Sequence, residues 1–470
     1  VSDSTDGRHE ALVVASNRGP VTFEVDDRGE PVARTGAGGL SSGLANALRG
    51  RDATWIAAAA SEGDRIVAAR GTTEVDGIQL RLLDIPAQVY EPAYNVVANE
   101  TLWFLHHDLF ERPRRPVFDK HWYEAWELFR QYNETFAGAI AEAAPASATV
   151  LVHDYHLGLC GSFLGRDRPD LRTVHFTHTP WCEPSQLDIL PKFARDELVT
   201  SMASFGACGF HAERWARAFE RCMIAFGPVG RDRVCSFVEP LAADRDRLIE
   251  VAGSAECRAR RGELDERFGN RRLVVRSDRV ELSKNILRGF RAYAEMLAAR
   301  PDLHGRVVFL ALAYGSRERL PEYLAYRAEV EHLADVVNDR FATDGWLPVE
   351  LEVEDDYLSS VAALTRYDLL LVNPIRDGLN LVAKEGPIVN ANDGLLALSA
   401  GAGVFAELDG QLEVHPYDIE QAAGVLAQAL DMGADERRDR SERLRRSASS
   451  TTPAEWLTSL IAQARPTSGS

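Results

Sequence analysis

Short unbroken apolar runs recur along the chain at residues 11–15, 54–59, 149–152, 173–176, 273–275, 307–311 and 369–372. Runs of this length, bounded by turn residues, predict strands buried on both faces. Between many of them apolar positions recur at helical spacing, over residues 122–144, 212–225, 285–299 and 323–340. Strands alternating with helices of that length predict βαβ units around parallel sheets. The polar segment 244–272 predicts helix, and the alternation restarts at Leu273. The pattern predicts an α/β protein of two domains in tandem, with the break near residue 237, after the Gly-Pro-Val-Gly turn at 227–230 and a short strand at 234–237. A last apolar helix is predicted at 453–464, behind a charged Arg/Glu stretch.

Length agrees with that division, because 470 residues exceed what one core supports and two domains of roughly 200 residues each follow. Composition acts mainly by exclusion. Acids outnumber bases 71 to 53, a formal charge of −18, so no overall basic field exists to release counterions from nucleic-acid phosphates. A small basic pocket for one phosphorylated ligand is compatible with that sum. Cys160, Cys182, Cys208, Cys222, Cys235 and Cys257 show no CxxC pairing and no His at metal-ligand spacing, which points to reduced core thiols. No apolar run reaches the roughly 18 residues of a membrane span, and the opening VSDSTDGRHE is polar, so a cytoplasmic protein without a signal peptide is expected. A homo-oligomer is left open.

Candidate chemistry lies where the predicted strands end, the place where open α/β sheets bind ligands. Ser16-Asn17-Arg18-Gly19-Pro20 follows the first strand, and Gly36-Ala37-Gly38-Gly39-Leu40-Ser41-Ser42-Gly43-Leu44 comes soon after. Glycines at such a turn let backbone N–H groups approach an anion, and Arg18 favours a phosphate over an empty turn. Val152-His153-Asp154-Tyr155-His156 ends another strand; its two histidines and acid do not converge on a metal, whereas Asp154 suits a sugar hydroxyl. His175-Phe176-Thr177-His178-Thr179-Pro180-Trp181 places His178 beyond the next one. Arg276-Ser277-Asp278-Arg279-Val280-Glu281-Leu282-Ser283-Lys284-Asn285 sets Arg279 and Lys284 at the entrance to a helix. That is either a grip for a diphosphate or a solvated ion-pair cluster with Asp278 and Glu281. The stretch NPIRDGLNLVAKEGPIVN, residues 373–390, puts Asp377 and Gly378 in a turn, residues 380–382 at a helix start with free N–H groups, and Glu385 one turn in. The competing reading is a capping Asp and a surface Lys-Glu pair, in which Lys384 faces solvent or meets a neighbouring acid.

Taken in order, these motifs resemble the retaining glycosyltransferases that make trehalose 6-phosphate. The resemblance rests on the SNR turn and GGL loop, HDYHL, the His-x-Pro segment, the Arg-x4-Lys block and RDGLNLVAKE, and it runs from about Val13 to the final helix. It implies a GT-B fold, two Rossmann-like domains facing across a cleft. Residues 1–236 would hold the acceptor, glucose 6-phosphate; residues 237–452 the nucleotide sugar; residues 453–470 would form a helix returning to the first domain. It further implies that Arg18, Tyr94 and Arg317 bind the acceptor phosphate, that Trp103 walls the site, and that Asp154 holds acceptor hydroxyls. Tyr94 and Trp103 keep the family's Tyr-x8-Trp spacing. His178 is implied for a hydroxyl of the transferred glucose. On the donor side it implies Gly39, Arg279 and Lys284 for the phosphates, Asp377 for sugar hydroxyls, the backbone of Gly378, Leu379, Asn380, Leu381 and Val382 for the diphosphate, and Glu385 for the ribose. Arg279, Lys284, Asp154 and His178 are the residues it implies in catalysis. A retaining glycosidase uses two carboxylates about 5 Å apart. The family uses neither that pair nor a metal or cofactor, so the resemblance implies front-face attack, the departing phosphate oxygen taking the acceptor proton.

The chain departs from the family's common pattern in three places. It reads Arg-Val-Glu-Leu-Ser-Lys-Asn at 279–285 where Arg-Leu-Asp-Tyr-x-Lys-Gly is commoner, Ala53-Thr54-Trp55-Ile56-Ala57 in place of Trp-Phe-Gly-Trp, and His178-Thr179-Pro180-Trp181-Cys182 in place of His-x-Pro-Phe-Pro. These variants look like the actinobacterial branch and bear on the donor base. Glu354-Asp355-Asp356 precedes the predicted helix 357–366. Guanine offers two N–H donors along one edge to a carboxylate and uracil one, so GDP-glucose is expected over UDP-glucose, against the rival that these acids cap the helix. The functional rivals are glucosylglycerol phosphate synthase, a cyclitol pseudo-glycosyltransferase, or an inactive regulatory homologue. Asp154, His178 and the Arg-Asp-Gly-Leu-Asn-Leu block argue for a glucosyl donor, and the presence of Arg279, Lys284 and Glu385 argues for activity.

Overall fold

The computed structural model describes residues 11–35, 39–229, 234–317 and 320–467, the side chains of 35 and 39–42 excepted. The chain divides into two α/β units, Val1–Pro240 with Pro453–Ser470, and Leu241–Thr452.

The first unit contains β1 (Leu12–Ala15), β2 (Val21–Val25), β3 (Pro31–Thr35), β4 (Ala53–Ala58), β5 (Thr73–Val75), β6 (Ile78–Leu83), β7 (Thr149–His153), β8 (Arg172–Thr177), β9 (Ala207–Phe210) and β10 (Cys235–Val238). Its nine-stranded sheet runs β10-β9-β8-β7-β1-β4-β6-β5, with the C-terminal strand Arg465–Pro466 antiparallel on β8. β2 and β3 form a separate hairpin. Every position of β1 is buried, as an unbroken apolar strand covered on both faces requires. From β1 the chain proceeds to β4 on one side, and from β7 to β8 on the other. The connections therefore diverge between β1 and β7, which leaves an opening at their carboxyl ends. Helix Lys120–Ala143 is started by Asp119, whose carboxylate accepts from the Trp122 amide at 3.0 Å. It buries Trp122, Trp126, Phe129 and Phe136 on one face.

Two observations place the limits of this unit. β10 pairs in parallel with β9, so the first unit runs through Pro240, a few residues beyond the predicted break. Helix Pro453–Gln463 also belongs to it: Trp456, Leu457 and Leu460 are fully buried, and the Trp456 indole donates to the Glu239 carbonyl at 3.1 Å. Gly206 admits the returning strand, since a Cβ there would stand 2.0 Å from the Arg465 carbonyl oxygen. Cys235, on edge strand β10, is exposed, which corrects the expectation that all six cysteines are core thiols.

The second unit contains β11 (Arg272–Arg279), β12 (Val307–Tyr314), β13 (Val349–Glu352), β14 (Leu369–Val372), β15 (Leu395–Ser399) and β16 (Leu412–Val414), ordered β13-β12-β11-β14-β15-β16 and parallel throughout. Here the connections diverge between β11 and β14. β11 is longer than the apolar run 273–275, since it stays in register with β12 from Arg272↔Val307 to Arg279↔Tyr314. Its polar half is partly paired internally: Arg276 is fully buried, donates from Nε to Asp278 Oδ2 at 2.9 Å and from Nη2 to the Lys284 carbonyl at 2.6 Å, while its Nη1 is buried without a hydrogen-bond partner among the described residues. The single helix expected at 244–272 is two, Arg245–Ala252 and Ala255–Phe268, because Ser254 starts the second by accepting from the Cys257 amide at 3.1 Å. No helix among the described residues is long and apolar enough to cross a membrane.

Candidate active site

In the first unit, the expected acceptor residues gather beyond β1 and β7. The turn after β1 is held from below, with the buried Trp55 indole donating to Ser16 Oγ at 2.8 Å and Tyr132 donating to Asn17 Oδ1 at 2.7 Å. This leaves Arg18 exposed, its Nη2 3.5 Å from the Tyr94 hydroxyl. Tyr94 and Trp103 lie on the π-helix Pro92–Trp103. Nine residues span about two and a half turns of an α-helix and would face opposite ways. The i→i+5 bonding of a π-helix widens each turn and brings the two toward one side. Both rings accordingly pack on the turn after β7, Tyr94 stacked 5.6 Å from His156 and Trp103 5.9 Å from Tyr155.

Asp154 is held in a backbone conformation that L-residues avoid, φ 70° and ψ 166°. Backbone strain of this kind costs about 1–3 kcal/mol and clusters at active sites. The surroundings impose it: the Asp154 amide donates to the Phe176 carbonyl at 2.8 Å, its carbonyl lies 3.1 Å from His175 Nε2, and its carboxylate accepts from the His178 amide at 3.1 Å. His178 links a row of imidazoles, with Nε2 2.9 Å from His153 Nδ1 and Nδ1 3.0 Å from His211 Nε2. Both of its ring nitrogens are thus engaged with other histidines. Burial pushes His153 down to about 3 and His175 down to about 4, and holds His178 well below the ordinary imidazole value, so these three are neutral at physiological pH. Gly39 is the first residue of helix Gly39–Leu48, while the glycines at 36 and 38 lie outside the described residues.

In the second unit, the expected donor residues gather beyond β11 and β14. Arg279 ends β11, and Lys284 stands in the short turn Leu282–Lys284, ahead of the helix Ile286–Ala299. Asp278 and Glu281 are their partners, as one of the two readings held, but both acids are buried and Lys284 is largely so, which leaves Arg279 as the partly exposed member. Lys284 Nζ donates to Asp377 Oδ2 at 2.6 Å and lies 3.7 Å from Asp278 Oδ1. Burial alone would lower this ammonium, and the carboxylates of Asp377 and Asp278 more than reverse it. For Arg279 burial is likewise outweighed, chiefly by Glu281.

The loop after β14 is fastened to the loop after β15. Asp377 donates its amide to the Gly401 carbonyl at 3.0 Å and accepts from the Gly403 amide at 3.1 Å; Val404 donates to the Leu379 carbonyl at 3.0 Å. Helix Val382–Val389 begins two residues later than expected, because Asn380 adopts φ 81° and stays outside it. From there Asn380 Nδ2 donates to Asp377 Oδ2 at 3.1 Å, and its Oδ1 accepts from the Ala383 amide at 3.2 Å. The amides of Lys384 and Glu385 are taken by the Leu381 carbonyl, both at 2.8 Å. Leu379 is buried; Gly378, Leu381 and Val382 complete the turn. Lys384 is not at the surface. It is 1% exposed, pairs with Glu407 and donates to the Leu241 carbonyl at 2.9 Å, and burial lowers its pKa. Glu385 is half-buried, nothing among the described residues donates to it, and desolvation raises it to about 7. Of the acids before helix Tyr357–Arg366, Asp356 alone caps it, accepting from the Ser359 amide at 3.0 Å; Glu354 and Asp355 are exposed.

Arg317 also lies in this unit, beyond β12, donating to Glu281 at 2.6 Å. Three features were missed in the sequence: the burial of Glu281, the partner of Lys384, and His211. Each depends on a contact between distant segments. The one local signal was the pair of apolar strands preceding Glu281 and Arg317. Among the described residues, no group of His, Cys, Asp and Glu has the arrangement of a metal site.

The model of the family described as Glycosyltransferase family 20 matches residues 10–465. The chain belongs to glycosyltransferase family 20. The trehalose-6-phosphate synthase of Mycobacterium sp. (strain KMS) is 31% identical to this family 20 chain over 474 residues, covering 96% of this chain and 94% of that protein. Among solved structures, the UDP-forming α,α-trehalose-phosphate synthase of Burkholderia xenovorans in complex with glucose-6-phosphate is 25% identical, with a TM-score of 0.83 over 96% of this chain and 99% of that one. The E. coli protein solved with UDP-2-fluoro glucose bound is likewise 25% identical at a TM-score of 0.83, covering 96% of this chain and 99% of that one. The family 20 assignment bears out the resemblance carried by HDYHL and RDGLNLVAKE, and the fold expected from it, GT-B with two α/β units built on parallel sheets.

Proposed function

We propose that this glycosyltransferase moves glucose from a nucleotide sugar to glucose 6-phosphate, with retention, giving α,α-trehalose 6-phosphate. The observation that carries the reading is the second unit's cluster, where Arg279, Lys284 and Asp377 meet at the divergence of β11 and β14. In this reading the first unit serves the acceptor and the second the donor. Arg18, Tyr94 and Arg317 take the acceptor phosphate, Trp103 walls the site, Asp154 holds acceptor hydroxyls, and His178 meets the transferred glucose by giving up one of its histidine contacts.

On the donor side, Arg279, Lys284, Gly39 and the backbone at 378–382 take the diphosphate, Asp377 the sugar hydroxyls and Glu385 the ribose. Asp377 Oδ2 already accepts from Lys284 and Asn380, which suits a carboxylate that orients hydroxyls better than one that attacks carbon. Front-face displacement follows. The acceptor hydroxyl adds to the anomeric carbon from the side the phosphate leaves, the C–O bond to phosphate breaks, and the departing oxygen takes the hydroxyl proton. Arg279 and Lys284 stabilise the charge growing on that oxygen.

For the base we propose guanine over uracil, although relatives such as the Burkholderia xenovorans enzyme are described as UDP-forming. Supporting it, Glu354 and Asp355 are exposed and Asp356 alone does the capping, so the two remaining acids stay available to the N–H edge of a purine. The test is incubation of the protein with glucose 6-phosphate and each of GDP-glucose and UDP-glucose, followed by identification of the disaccharide phosphate and the released nucleotide. Faster release of GDP is expected. A clear preference for UDP-glucose overturns the base assignment, and no disaccharide phosphate with either donor overturns the reaction.

A further inference from the structure

β11 and β12 end in register, and the Val280 amide donates to the Tyr314 carbonyl at 2.7 Å, so the loops that follow them leave the sheet side by side. Glu281 stands in the first loop, Ser316 and Arg317 in the second. The Glu281 side chain is completely buried. Its Oε1 accepts from Ser316 Oγ at 3.0 Å and from Arg317 Nη1 at 2.6 Å, and lies 3.1 Å from Arg279 Nη1. Arg317 Nη1 also stands 3.5 Å from the Tyr323 hydroxyl, and the residue adopts φ 47°.

We propose that Glu281 is a positioning residue that fixes Arg279 and Arg317 from one carboxylate oxygen, so that the donor diphosphate and the acceptor phosphate are held as a pair. The inference rests on the proposed assignment of these two arginines to those phosphates. A guanidinium on a flexible stem binds an anion in a defined geometry only when something fixes its fork. Two guanidiniums this close repel, and a shared buried carboxylate offsets that repulsion and fixes the two forks relative to each other. Arg279 keeps 38% of its side chain exposed and Arg317 11%, so the first side chain is the more open of the two. Because three groups share one anion, none of them acts alone.

The test is steady-state kinetics, both substrates varied, on the full-length protein carrying Glu281→Ala, Glu281→Gln, Glu281→Asp, Arg317→Ala, or Glu281→Ala with Arg317→Ala. Glu281→Ala is expected to lower kcat/KM for glucose 6-phosphate by roughly 10²-fold, and adding Arg317→Ala to cost no more than roughly threefold further. Glu281→Asp keeps the charge and is expected to recover more activity than Glu281→Gln, which keeps the shape and loses the charge. If Glu281→Ala does not fold, the near-isosteric Glu281→Gln carries the test through a raised KM for glucose 6-phosphate with a lowered kcat. Additive losses in the double variant, or wild-type kinetics in Glu281→Gln, would overturn the inference and leave the synthase reading standing. A wild-type protein that makes no disaccharide phosphate would remove the reading and the inference together.

Discussion

Glu385 shows how one residue's surroundings become a measurable property. Desolvation raises its carboxyl to about 7, so below that pH the folded protein holds it as a neutral acid. A carboxylate can accept from both ribose hydroxyls, whereas the protonated form offers a donor in place of one acceptor. KM for the nucleotide sugar is therefore expected to fall as pH rises through about 7, and Glu385→Gln to flatten that dependence; the diphosphate diester of the donor does not titrate there. A pH-independent KM in the wild type would count against the ribose assignment. At Arg279 the expectation concerns turnover: Arg279→Ala should lower kcat by roughly 10²- to 10³-fold, the scale seen when one oxyanion donor is removed, with a much smaller change in donor affinity measured by calorimetry. Equal losses in both would mean the guanidinium serves binding and not the transition state. The types of these residues were legible in the sequence because each follows an apolar strand. Lys384 was not: its carboxylate partner, Glu407, lies beyond the next strand, and only the fold brings them together.

At the scale of elements, the 377–382 turn, proposed to hold the donor, owes its shape to glycines in a loop that itself carries none of the proposed contacts. A Cβ on Gly403 would stand 1.9 Å from the Gly378 carbonyl oxygen, and one on Gly401 2.2 Å from that of Pro374. Gly403→Ala is expected to push the 377–382 turn away and to cost about 1–3 kcal/mol of stability, as overpacking does. Nucleotide-sugar affinity should fall while glucose 6-phosphate affinity stays near wild type, both readable by titration; unchanged donor affinity would show that the turn tolerates the shift. Two elements escaped sequence reading for physical reasons. The carboxyl half of β11 is polar, and Arg276 can lie there because it donates to Asp278 and to the Lys284 carbonyl inside the unit. The π-helix Pro92–Trp103 has no hydrophobic period of its own, yet its wider turn explains why Tyr94 and Trp103, nine residues apart, serve one side.

For the molecule as a whole, the buried histidines around Asp154 set a limit in acid. His153, His175 and His178 are all held below the ordinary imidazole value by burial, His153 at about 3 and His175 at about 4. Between about pH 4 and 6.5 the unfolded chain therefore binds more protons than the folded one, and stability is lost as pH falls through that window. Thermal melts from pH 7.5 to 4.5 should show a declining Tm, and His153→Asn, which offers an amide without titrating, should reduce the slope. An unchanged slope would assign the acid lability elsewhere. The tandem α/β pattern was legible because it rests on apolar periodicity, which also marked the last helix; its return to the first unit was only implied by the family resemblance. The end of the first unit was less legible, since β10 looks like a linker until it pairs with β9. The return of residues 453–467 has one more consequence. The second unit is a single continuous stretch of chain, whereas the sheet of the first lacks Trp456 and the strand Arg465–Pro466 until residues 453–467 have been made. Domains ordinarily fold in the order they leave the ribosome. Here the unit that emerges first is the one completed last.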